Sequence, residues 1–119
     1  SYPYFSGHAS ERGSGAGEGC NLNLPLPKNT TWQHYRQALE LACKQLRAFA
    51  PELLVVSLGV DTFKDDPISH FLLESEDFLG MGQIIATVGT PTLFVMEGGY
   101  MVDEIGINAV NVLHGHANR

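Results

Sequence analysis

Apolar positions along this chain recur with two different periods, and the switches between them lay out the elements. Trp32, Tyr35, Leu39, Ala42, Leu46 and Phe49 stand at helical spacing with polar residues between them. Thr30 and Gln33 have the spacing of a capping box at the start of that helix, and Pro51 closes it. Leu53 to Leu58 is an almost unbroken apolar run, as a parallel strand buried on both faces requires. Residues 60–74 then form a long loop. Ser75 is the expected N-cap of a second helix, with Glu76 and Asp77 at the positive end of its dipole. Phe78, Met81, Ile85 and Val88 make its inner stripe, and Gly89 stops it. Pro91 to Met96 repeats the buried-strand pattern until Gly98-Gly99-Tyr100 breaks it. Val102, Ile105, Ala109 and Leu113 mark a last helix, followed by a polar tail from His114 to Arg119. Near the start, Asn21 to Leu26 alternates polar and apolar up to Pro25-Leu26-Pro27, which predicts a short first strand.

Strand and helix thus alternate three times, β-α-β-α-β-α. That order predicts an α/β fold: a parallel sheet with flanking helices and right-handed crossovers. Residues 1–119 read as one domain, with a Gly-rich arm at 1–20 and a βα core at 21–119. The arm does not make a dinucleotide fingerprint. Its third glycine is misplaced, it precedes a strand instead of following one, and no G-K-[ST] follows.

Composition narrows the function classes. Hydrophobic residues make up 44% and charged residues 17%, so the chain is globular. A net charge of −6 with scattered Lys and Arg argues against a nucleic-acid partner. No apolar run approaches the roughly 20 residues of a membrane span. The first residues carry no basic, apolar signal. Cys20 and Cys43 match no zinc or redox spacing and suggest reduced thiols in a cytoplasmic protein.

Two strand ends offer chemistry. Asp61 follows Gly59 at the carboxyl end of one strand, where open α/β sheets place ligands. Glu97-Gly98-Gly99-Tyr100 follows the next. If these strands are neighbours, Asp61 and Tyr100 line one crevice. Asp61 would coordinate a metal or orient a histidine, and Tyr100 would donate to a developing oxyanion. Spacing leaves a plainer reading open, in which Asp61 caps a turn and Tyr100 packs at a helix start.

Three segments carry a family resemblance. They are Gly15–Gly19 with Asn21–Pro27, Val56–Ser69 including Gly59-Val60-Asp61-Thr62, and Val95–Tyr100. Together they resemble the C-terminal part of the acetylpolyamine amidohydrolases, members of the histone deacetylase superfamily with the arginase-deacetylase fold. The likeness runs from about Tyr2 to Gly115. It implies a zinc ion held by two aspartates and a histidine, acting on acetylpolyamine or acetyl-lysine amides. By the same resemblance Asp61 is a zinc ligand and Tyr100 the oxyanion-stabilising tyrosine. Gly98 and Gly99 would line the substrate channel, and Pro67 with Asp66 would shape its rim.

The departures are as informative. The resemblance implies that the other two zinc ligands form an Asp-x-His motif and that an adjacent His pair handles protons, and the chain has neither. Neither His8, His34, His70, His114 nor His116 supplies the missing motif by spacing. Catalytic zinc takes three protein ligands, so the chain by itself is expected to be catalytically incomplete and to hold zinc weakly. Completion would come from a missing upstream segment or a partner chain. Two other outcomes stay open. A sheet cut from a larger one leaves an apolar edge and face, which a homodimer would cover. Alternatively, the acidic strand ends, with Asp61, Asp65, Asp66 and Glu97, would bind an acetylated polyamine without hydrolysing it.

Overall fold

The computed structural model describes residues 3–118. Three helices and two strands follow a 3-10 turn at Gly15–Gly17: α1 Trp32–Phe49, β1 Leu54–Leu58, α2 Ser75–Ala86, β2 Thr92–Met96 and α3 Val102–Ala117. β1 and β2 are parallel neighbours, paired from Leu54 with Thr92 to Leu58 with Met96. The βαβ crossover and the flanking helices are the α/β arrangement that the pattern predicts. None of the described helices is long and apolar enough to cross a membrane.

The predicted strand at Asn21–Leu26 does not form, and the sheet has two strands among the described residues. Its polar groups are turned to the arm instead. Arg12 Nε donates to the Asn21 carbonyl (2.7 Å), Asn21 Nδ2 to the Glu11 carbonyl (2.7 Å) and Asn23 Nδ2 to the His8 carbonyl (3.0 Å). Pro25 and Pro27 lack the N–H groups a ladder needs. Burial does not alternate here either: Leu22 to Leu26, Asn23 and Pro25 included, are all half-buried.

α1 begins one residue later than its expected cap. Thr30 is buried and its hydroxyl donates to the Pro27 carbonyl (2.6 Å), so no capping box forms with Gln33. The helix ends at Ala50, which adopts the left-handed conformation (φ 57°) and donates its N–H to the Leu46 carbonyl. α2 is capped by Glu74, whose N–H donates to Asp77 Oδ2 (2.8 Å), so Ser75 is its first residue. α3 continues through the expected polar tail to Ala117. There His116 meets the Phe94 ring edge-on with centroids 5.2 Å apart.

The core gathers Leu54, Leu58, Val60, Phe63, Leu73, Phe78, Met81, Ile85 and Val112. α2 and α3 approach closely enough that a methyl group on Gly82 would overlap the Val112 carbonyl, and one on Gly115 the Leu79 carbonyl. Burial of the strands on both faces is not realised within this chain. Leu54 and Leu58 are buried, but Val55 and Leu93, paired on the other face, are 55% and 53% exposed.

Candidate functional site

The pairing of β1 with β2 continues beyond both strands, and that continuation builds the site. Glu97 N–H donates to the Leu58 carbonyl (2.8 Å), and Val60 N–H to the Gly98 carbonyl (2.8 Å). Val60 is buried, so the residue after it emerges at the rim with its backbone already fixed. That residue is Asp61, half-buried. Its carboxylate lies across two glycines. A Cβ on Gly59 would sit 2.9 Å from Asp61 Oδ1, and one on Gly98 would overlap Oδ2. Gly99 is held as tightly, since its Cβ would lie 2.7 Å from Val60 Cγ2. These glycines are needed for clearance, not for a left-handed backbone.

The two strand ends are therefore brought together, as neighbouring strands require. Tyr100 stands two residues beyond the glycine under Asp61 and is half-exposed. Its backbone N–H donates to Asp66 Oδ2 (2.8 Å). Pro67, on the same loop, is exposed. Asp66 itself is buried, and its Oδ1 accepts the Ile68 N–H (3.0 Å). It therefore does not present a free carboxylate to a cation, which corrects its place among the acidic groups suited to a polyamine.

The Asp61 loop is pinned at both ends. Lys64 N–H donates to the Leu73 carbonyl (2.7 Å), and Leu73 N–H to the Thr62 carbonyl (3.2 Å). An open cleft of about 380 Å³ lies beside it, bounded by Lys28, Asp61, Thr62, Ile68 and His70 among others. His70 thus shares a cleft with Asp61, although it is exposed. Thr62 Oγ1, next to Asp61, is buried without a hydrogen-bond partner.

Tyr35 reaches this region from α1, a neighbour that sequence reasoning assigned only to the apolar stripe. Burial raises its phenol pKa, and the negative charge of Asp61 raises it further. Nothing in the helical spacing distinguishes Tyr35 from the core positions around it. The resemblance put Asp66 at the rim, but its bond to Tyr100 N–H was hidden, because that bond joins residues far apart along the chain.

The metal question turns on the donor set. Among the described residues no three His, Cys, Asp or Glu side chains stand together as a metal site. Asp61 has the chemistry and exposure of a single ligand, and the described residues do not provide the rest of the set.

Comparison with known proteins gives this geometry its context. Residues 1–115 match the family model of the histone deacetylase domain. The chain is 60% identical to acetylpolyamine amidohydrolase 1 of Pseudomonas aeruginosa over 115 residues, which is 97% of this chain and 33% of that protein. It is 51% identical to the acetylpolyamine amidohydrolase of Mycoplana ramosa, over 98% of this chain and 34% of the relative. Its structure superposes on crystalline acetylpolyamine aminohydrolase from Burkholderia pseudomallei with a TM-score of 0.93 at 37% identity, covering 98% of this chain and 34% of that one. The chain therefore spans about a third of the length of the curated relatives it matches.

Proposed function

Because the chain belongs to the histone deacetylase domain family, we propose that it forms one side of a zinc-dependent amide-hydrolysing site. The observation that carries this is the seating of the Asp61 carboxylate over Gly98, on the turn that leads to Tyr100. Asp61 supplies one anionic oxygen ligand, and the other ligands lie outside these residues. When bound, zinc polarises the acetyl carbonyl and activates a water for attack. The chain's own contribution is positional and electrostatic. Gly98 and Gly99 keep side chains away from the reacting group, and the Tyr100 phenol donates a hydrogen bond to the oxygen that gains negative charge. Pro67 shapes the rim. The substrate class is an acetylated polyamine, whose cationic end suits the exposed Asp65 and Glu97 and the chain's net charge of −6. By itself the chain is catalytically incomplete. A cytoplasmic location accords with its two free cysteines.

The experiment joins this chain to the upstream region of the Pseudomonas aeruginosa relative and measures acetylputrescine hydrolysis with zinc. The joined protein is expected to be active and the 119 residues alone inactive. Tyr100→Phe should lower kcat by about 10²–10³-fold, the cost of losing one oxyanion donor, and Asp61→Ala should lower zinc binding and activity together. Full activity of the chain alone would end the proposal of incompleteness. An undiminished Tyr100→Phe variant would end the role given to Tyr100.

A second arrangement is favoured by the uncovered sheet face at Val55, Leu93 and Val95. Such a face is covered in water, and a second copy of the chain covers it symmetrically as a homodimer.

A further inference from the structure

We infer that Asp66 is the positioning residue for Tyr100: it fixes the backbone from which the phenol reaches the reacting oxygen. This rests on the role proposed for Tyr100. The argument begins with the two glycines before it. Both are needed for clearance, Gly98 against Asp61 and Gly99 against Val60. Two successive glycines also leave the following residue poorly constrained, because glycine has the widest backbone freedom. Glu97 N–H bonded to the Leu58 carbonyl fixes the path before them, and Val60 N–H bonded to the Gly98 carbonyl holds the peptide between them. The next is the bond from Tyr100 N–H to Asp66 Oδ2 at 2.8 Å. Tyr100 is therefore located by an acceptor carried on the loop that also carries Asp61.

Asp66 is well placed for that task. Its own N–H donates to the Phe63 carbonyl (3.0 Å), and its carbonyl accepts from Ser69 N–H (3.2 Å). Its second carboxylate oxygen takes the Ile68 N–H (3.0 Å). Pro67 fixes the backbone between these bonds. The residue is 6% exposed, where a carboxylate is tolerable only if it is hydrogen-bonded. An ionised acceptor makes the stronger bond to an N–H, and two oxygens serve two donors at once. An asparagine has the same shape but only one acceptor oxygen, so it cannot satisfy both N–H groups.

The test uses the joined, active protein described above and the near-isosteric variant Asp66→Asn. Kinetics are read together with hydrogen exchange of the Tyr100 amide by NMR, with Val56 and Val95, whose amides face the β1–β2 ladder, as references. The expected result is a fall in kcat of about 10- to 100-fold, as for a misplaced catalytic group, with KM within about twofold. Tyr100 amide exchange should rise at least about tenfold while the strand amides are unchanged. In a Tyr100→Phe background the same substitution should cost little more, because Asp66 acts through Tyr100. Three results would each overturn the inference: unchanged kcat and exchange, acceleration of all amides together, or an equal loss in both backgrounds. A Tyr100→Phe protein at full rate would instead remove the underlying role of Tyr100, whatever the exchange data show.

Discussion

Tyr35 shows how one side chain couples the site to the fold. It belongs to the core-facing stripe of α1, stacks with Trp32 at 6.2 Å and meets Phe71 edge-on at 6.0 Å. It also feels the charge of Asp61. With its pKa raised in the folded state, Tyr35 keeps its proton longer when folded than when unfolded. Its contribution to stability is complete below about pH 10 and is lost as pH rises through the folded value. Tyr35→Phe should therefore flatten the alkaline fall in stability that sets in above about pH 10, read as urea midpoints. An unchanged slope would mean that Tyr35 is not the group responsible. That Asp61 meets the Gly98-Gly99-Tyr100 turn was legible because both follow neighbouring parallel strands. The roles of Tyr35 and Asp66 were not, because each acts on a group far away in sequence, and local periodicity carries no record of such a pairing.

At the scale of elements, helical periodicity was a better guide than alternation. All three predicted helices form, with their ends displaced by competing hydrogen bonds. Thr30 turns its hydroxyl to Pro27, and Glu74 takes the capping place expected of Ser75. The short strand before α1 failed because Pro25 and Pro27 have no N–H for a ladder and Asn21 and Asn23 are bonded to the arm. Glycine was also ambiguous: Gly82 and Gly115 lie inside helices, where the residue is usually unfavourable. Their reason is tertiary, since each lies on a carbonyl of the opposite helix. Gly82→Ala or Gly115→Ala should thus destabilise the protein by about 1–3 kcal/mol through overpacking, despite the better helix propensity of alanine. A chemical denaturation curve showing either variant at or above the parent's stability would contradict the close α2–α3 contact.

For the whole molecule, the sheet is the unfinished part. The strand pattern signals burial on two faces, but the chain supplies helices to one, leaving Val55, Leu93 and Val95 exposed. The curated relatives the chain matches are about three times as long. If a second copy covers this face, sedimentation at micromolar concentration should give a dimer, and Leu93→Glu should return it to a monomer. A parent chain that is monomeric throughout would exclude self-association by this surface. The candidate site is built differently from that open face. Asp61 and the turn to Tyr100 are joined by the Val60–Gly98 and Asp66–Tyr100 hydrogen bonds, all within these residues. Their spacing is consequently preorganised: a completing segment or subunit would meet a rigid half-site and lose little conformational entropy in ordering it.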